Sequence, residues 1–260
     1  MINYWRRLIG ARDLLYTWTL REFKARYRGS TLGVAWAILY PLAFLLVVLI
    51  VFAWFLRVPT AGIPAAVFLY CGLAPWLLTS GTIQNSTFAL IANLELVKNA
   101  AFPREILPLA TVLVGGIDFA VSALLLAGLV ALYRLPVGAT LVFVPILLAV
   151  QVMLTLALCL FCASWTIFYR DIRFLVPVVL QFWMYLTPVF YPIEMVPRWA
   201  QPVYLLNPMA ALIDSYRRVI LFRQWPEWRP FLFAASVSIL ALAAAYRYFK
   251  QTEWEFADRI

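Results

Sequence analysis

The spacing of charges constrains this chain more than any other feature. Six stretches run almost free of them, at about 33–56, 64–86, 106–132, 140–167, 174–192 and 230–248. A helix needs about 20 mostly apolar residues to cross the hydrocarbon of a bilayer. Composition points the same way: 65% of residues are hydrophobic, 13% are charged, and the mean hydropathy is +0.88. A soluble domain carries about 25% charged residues, so this much apolar surface needs lipid as its solvent. Lipid offers the backbone no hydrogen bonds, and only helices or closed barrels satisfy it there. The expected fold is an all-α membrane protein with six transmembrane helices in one domain spanning 1–260.

An even number of spans puts both termini on one side, and Lys and Arg counts choose the side. With both termini inside, the inner segments hold 14 Lys and Arg and the outer ones 7. Five of those 7 lie in the single stretch 193–229. Both termini are therefore expected in the cytoplasm. The net charge of +9 sits at the ends of the apolar runs, which points to anionic lipid headgroups rather than nucleic acid. Arg6, Arg7, Arg12, Arg21, Lys24, Arg26 and Arg28 crowd the start of the chain without the apolar core or cleavage site of a secretory signal. The N-terminus is expected to be retained.

Four segments between the spans carry patterns of their own. Residues 12–28 read as an amphipathic interface helix, with Tyr16, Leu20, Phe23 and Tyr27 on one face and Thr17, Arg21, Lys24 and Arg28 on the next. Residues 87–105 read as an inner loop with a short helix closed by Pro103. Residues 169–173, YRDIR, form a charged inner turn. Residues 193–229 are apolar enough to resemble another span, but Pro202, Asn207, Pro208, Asp214, Arg217 and Arg218 argue against lipid exposure. Two short helices joined at Asn207-Pro208, forming a re-entrant outer hairpin, fit better.

The chemistry present is sparse. No G-x-x-x-x-G-K-[ST] occurs, so any ATP is bound by another polypeptide. Histidine is absent, and Cys71, Cys159 and Cys162 lie within apolar runs as small packing residues. No metal-ligand cluster and no paired carboxylates are legible, which disfavours an intramembrane enzyme. One acid, Asp118, lies well inside a span. A gating or ion-binding carboxylate is one reading. The other is an interior carboxylate bonded to a neighbouring helix or facing a wet cavity, and one acid without a partner cannot form a proton relay. Aromatics are abundant, with 11 Trp, 13 Tyr and 19 Phe. Trp36, Tyr40 and Phe44 share one face of the first span, and Phe182, Trp183, Tyr185, Phe190 and Tyr191 crowd the outer half of the fifth. Such a wall suits the apolar faces of sugar rings, and weak repeated contacts suit a conduit. Helix packing and interface anchoring would place the same residues there.

Four fragments in order resemble the ABC-2 type permeases of bacterial polysaccharide exporters, which move O-antigen, capsule and teichoic acid chains. They are RYRGSTLGVAWAILYP at 26–41, FPREILPL at 102–109, FYRDIRFLVPVVLQFWMYLTPVFYP at 168–192 and LNPMAALIDSYR at 206–217. The resemblance implies a homodimer of this chain in the bacterial cytoplasmic (inner) membrane with two ATPase subunits beneath it. It implies no cofactor in this chain, with ATP and Mg on the ATPase. The substrate it implies is a lipid-linked polysaccharide, and periplasmic export components are a further partner class it admits. It assigns ATPase coupling to Glu95, Lys98, Phe102, Pro103, Arg104, Glu105, Tyr169, Arg170 and Asp171. The glycan conduit would be Trp36, Tyr40, Phe44, Phe182, Trp183, Tyr185 and Tyr191, and the outer gate Asn207 and Pro208. Charge adds a lipid-diphosphate admission point at Arg26, Tyr27 and Arg28, where headgroup anchoring is an equal reading. Rival expectations are an ABC-2 efflux permease for drugs or small lipids, a secondary carrier using Asp118, and a membrane enzyme of glycan assembly.

Overall fold

The computed structural model describes residues 12–98, 103–197 and 199–256. Among them the regular structure is entirely helical. Ten α-helices follow in order: α1 (Arg12–Tyr27), α2 (Trp36–Val48), α3 (Ala65–Ala89), α4 (Leu94–Lys98), α5 (Ile106–Leu132), α6 (Val144–Phe168), α7 (Ile172–Tyr185), α8 (Gln201–Leu205), α9 (Pro208–Ile220) and α10 (Trp228–Thr252). A 3₁₀ turn, Gly33–Ala35, leads into α2, and a wider π-helical stretch, Leu49–Phe55, prolongs it.

Among the described residues, five helical stretches are long and apolar enough to cross a membrane: Gly33–Phe55, Ala65–Ala89, Ile106–Leu132, Ala139–Phe168 and Trp228–Thr252. These match five of the six expected stretches to within a few residues. The sixth differs. Instead of a helix over 174–192, α7 has 14 residues and ends at Tyr185. At about 1.5 Å per residue it rises roughly 21 Å, less than a hydrocarbon core of about 30 Å. Pro188 and Pro192 follow, and neither can donate to a continuing helix.

Burial ranks the helices. Of the apolar window of α3, 83% is buried, against 17% for Gly33–Phe55, so α3 is the axis and α2 lies outside it. The polar residues of α3, α5 and α6 do not prevent this. Ser80, Thr87, Thr111 and Ser164 each donate to the carbonyl four residues earlier in their own helix. Gln151 is fully buried and bridges three helices. Its amide donates to Pro75 O at 2.6 Å and Thr79 Oγ1 at 3.0 Å, and it accepts from Tyr216 Oη at 3.0 Å. Such bonds hold apolar helices together where lipid leaves little hydrophobic drive between them. Gly115 lets α5 approach α3 closely, since a Cβ there would run into Thr82 Oγ1.

Two apolar clusters mark the ends of the bundle. One joins Trp18, Leu90, Val97, Ile106, Ile167, Phe249 and Phe256. The other joins Phe68, Leu73, Phe143, Leu147, Val189, Tyr216 and Phe231. Helices α3, α6 and α10 therefore run parallel, each ending at the Trp18 end, and α5 runs against them. The chain between α6 and α10 must climb back. It does so through α7, whose Ile172 packs with Ile83 and Cys159 and whose Trp183 meets Trp76 edge-on at 5.4 Å. Beyond it, Val189 lies against Gly72, where a Cβ would be 2.8 Å from an Arg217 guanidinium nitrogen.

Candidate functional site

Between α1, α2, α3 and α5 lies a cavity of about 390 Å³. Two groups of residues that sequence reading kept apart meet there. Arg26 and Tyr27 line it from the end of α1, and Trp36 and Tyr40 line it from α2. Trp36 and Tyr40 are adjacent on one face because they are four residues apart. Helix α3 adds Ser80, Gln84 and Asn85, at a spacing that puts polar groups on one strip of an otherwise apolar helix. Phe119 and Ser122 of α5 complete the wall.

Asp118 also lines this cavity, and it has partners. Arg26 Nη1 pairs with Asp118 Oδ2, and Tyr27 Oη donates to Oδ1 at 3.0 Å. Asp118 is both bonded to a neighbouring helix and turned toward the cavity, the two features of the interior-carboxylate reading. Its partners lie 91 and 92 residues away, which no local pattern reveals. Burial, with Asp118 beside it, raises the Tyr27 pKa to about 12, so this hydroxyl keeps its proton and donates. Phe23 packs edge-on to Tyr27 at 5.2 Å. Helix α1 buries Trp18 and Thr19 against the protein, while Tyr16, Leu20 and Arg28 are exposed.

The remaining conduit candidates divide. Phe182 and Tyr185 are exposed on α7, 65% and 53%, on a surface free to meet lipid or another chain. Phe44 is partly buried, 6.3 Å from Phe190. Trp183 and Tyr191 are tied down: Trp183 Nε1 donates to Asn207 Oδ1 at 3.0 Å, and Tyr191 Oη donates to Tyr185 O at 2.7 Å. Asn207 caps α9 by accepting from Met209 N at 3.1 Å, with Pro208 at the first helical position. Its amide donates to Thr187 Oγ1 at 2.8 Å. Asn207 and Pro208 thus form the joint that fastens the end of α7 to α9.

Arg217 is the strongest anchor that sequence reading missed. It is 3% exposed, and its Nη1 donates to Pro188 O and Tyr191 O at 2.7 and 2.9 Å. Nη2 donates to Val189 O at 2.6 Å, and the guanidinium lies 4.0 Å over the Phe68 ring. Burial lowers its pKa to about 10, which leaves it charged at neutral pH. The signal was present: an arginine in a segment already read as shielded from lipid needs acceptors, and the loop 187–192 is rich in proline.

At the opposite end, Glu95 and Lys98 are exposed on α4 while Val97 between them is buried. Tyr169, Arg170 and Asp171 are exposed in the turn between α6 and α7. Phe102 lies outside the described residues. Pro103 precedes α5, where Arg104 and Glu105 turn inward. Arg104 Nε donates to Val97 O at 2.8 Å, and its Nη1 donates to Glu253 O. Glu105 is 3% exposed and pairs with Lys250 Nζ at 2.9 Å, which also pairs with Glu253 at 2.9 Å. Phe256 packs on Phe249 and Phe168 beneath them. Arg104 and Glu105 thus brace the inner loop on the chain's own last helix.

Comparison with known proteins fits this geometry. Residues 13–221 match the family described as ABC-2 type transporter. The chain is 32% identical over 263 residues, 100% of both chains, to the O-antigen export system permease protein RfbA of Myxococcus xanthus. It is 29% identical over 210 residues to the RfbA protein of Klebsiella pneumoniae, 80% of each chain. The polysialic acid transport protein KpsM of Escherichia coli is 25% identical over 210 residues, 78% of this chain and 79% of that one. The family match covers most of the helical bundle just described, from α1 to the end of α9, and on that ground the chain is a member of the ABC-2 type transporter family.

Proposed function

We propose that this chain is the permease subunit of an ATP-driven exporter that moves lipid-linked polysaccharide across the bacterial inner membrane. The observation that carries this is the cavity where a guanidinium and a tyrosine hydroxyl meet a Trp-Tyr wall, in a chain similar from end to end to an O-antigen export permease. An anionic lipid headgroup suits the first pair and a sugar ring the second.

The bundle crosses the membrane six times, with α7 and the loop after it as the fifth pass. Three long parallel helices and one opposed to them support that parity, because α6 ends where α10 does. Both termini then share one side, which the Lys and Arg distribution makes the cytoplasm. Helix α1 lies in the cytoplasmic interface, and α8 and α9 form the outer hairpin. Two copies associate through the exposed aromatic surfaces of α2 and α7, so that Trp36, Tyr40, Phe182 and Tyr185 line a path between them. Two ATPase subunits carrying ATP and Mg dock at the exposed Glu95, Lys98 and Tyr169–Asp171. Their closure on ATP moves the inner ends of the helices as rigid bodies.

Reconstitution of the permease with its ATPase in vesicles tests this. ATP-dependent movement of a lipid-linked glycan is the expected result. Stimulation of ATP turnover by short hydrophobic drugs, with none by the glycan, would instead make the chain an efflux permease.

A further inference from the structure

The hydrogen bonding of Arg26, Tyr27 and Asp118 is lopsided. Both Asp118 oxygens are engaged, one by Arg26 Nη1 and one by Tyr27 Oη. The other terminal nitrogen, Arg26 Nη2, is buried without a hydrogen-bond partner. A guanidinium presents a fork of parallel donors, and a buried donor left unmade destabilises the arrangement that leaves it so. One carboxylate divided between an arginine and a tyrosine cannot fill the fork. A phosphate can, because its extra oxygens take both terminal nitrogens and the hydroxyl together. The cavity alongside, about 390 Å³, lies within the range of about 300–1,000 Å³ usual for small-ligand sites. Amides from Gln84 and Asn85 and the rings of Trp36 and Tyr40 face it, a lining suited to a sugar next to that phosphate.

We infer that Asp118 is an internal stand-in for phosphate, holding Arg26 and Tyr27 until the phosphate of a lipid-linked saccharide takes both from it. The inference rests on the exporter reading and adds how the headgroup is recognised and what its arrival does. The Arg26–Asp118 pair ties α1 to α5. Exchange of partners therefore frees the Arg26 end of α1 from α5 when an anionic headgroup arrives, while Trp18 stays packed. A neutral lipid has no charge with which to displace a carboxylate and leaves the tie in place. Selection and release then use the same two donors.

The test is binding of polyprenyl diphosphate to the complete permease–ATPase complex in nanodiscs, with uncharged polyprenol as the comparison lipid. Asp118→Asn should bind the diphosphate about tenfold tighter than the wild type, the scale of one charge-assisted hydrogen bond. Arg26→Gln should bind about tenfold more weakly by the same measure, and Asp118→Asn should add nothing on that background. Asp118→Ala should shift affinity in the same direction as Asp118→Asn and replaces it if the asparagine variant does not assemble. Polyprenol binding should not change in any variant. Equal or weaker diphosphate binding by both Asp118 variants overturns the inference, as does a gain that persists without Arg26. If such a result comes with ATP-driven glycan movement by the wild type, only the role of Asp118 falls. Absence of that movement in the wild type counts against the exporter reading itself.

Discussion

The two ends of the bundle are held together by different means. At the Arg217 end, a guanidinium sealed inside the protein donates to neutral carbonyls of the 188–191 loop, beside a partly exposed ion-pair chain of Asp214, Arg218 and Glu227. Asn207 adds a second fastening there. At the Trp18 end, Glu105, Lys250 and Glu253 form an ion-pair chain in which Lys250 and Glu253 stay partly exposed. A buried guanidinium with carbonyl partners has no alternative once it is shut in, because water cannot replace them. The Lys250–Glu253 link, partly exposed on both sides, is worth little and exchanges partners with water more easily, while Glu105 stays buried. One end is built to stay as it is, and the other can be rearranged by whatever pushes on it. That asymmetry suits the proposed exporter, in which an ATPase drives the permease from one side.

The comparison can be broken most severely at Arg217. Arg217→Met should cost about 3 kcal/mol or more, read as loss of thermal stability in detergent, and Arg217→Lys should not rescue it, since a point donor cannot span the carbonyls. A loss of under about 1 kcal/mol would mean the loop is held by something else. Next comes Gly72, on which Arg217 and Val189 rest. Gly72→Val should cost about 2 kcal/mol in the same assay by overpacking. At the other end, Lys250→Met should cost about 1.5 kcal/mol, because it leaves the buried Glu105 short of this partner while Glu253 turns to water. Its larger effect should be on coupling, with ATP turnover continuing while glycan movement falls. The smallest stability effect belongs to Glu95→Ala, within about 0.5 kcal/mol. It should show instead as reduced co-purification of the ATPase. Equal stability losses from Arg217→Met and Lys250→Met would erase the distinction between the ends.

The spans were legible because lipid imposes a rule that acts on composition: an apolar run of sufficient length is a helix. The short helix α7 escaped this rule because its apolar run continues past Tyr185 through a proline-rich loop of the same hydropathy. The aromatic spacing that put Trp36 and Tyr40 on one face was legible for a similar reason, since it is local. The partnership of Asp118 with Arg26 and Tyr27 was not, because it depends on how α1 folds back on α5. Nor was the inward turn of Arg104 and Glu105. Charged residues beside a proline in a loop look solvent-facing until the last helix supplies Lys250 and the Glu253 carbonyl. Arg217 was read as a reason against lipid exposure, and its acceptors became visible only with the fold.

The shortness of α7 has a consequence for the lipid around the protein. On the six-pass reading proposed above, a roughly 21 Å helical rise beside neighbours of 25 or more residues leaves only the loop after α7 to span the rest, and the acyl chains next to it would shorten or tilt. A membrane pinched along that flank would offer a thinner barrier there than beside the longer helices. Long-chain lipids should therefore slow transport in vesicles more than short-chain ones do, because they resist that pinch.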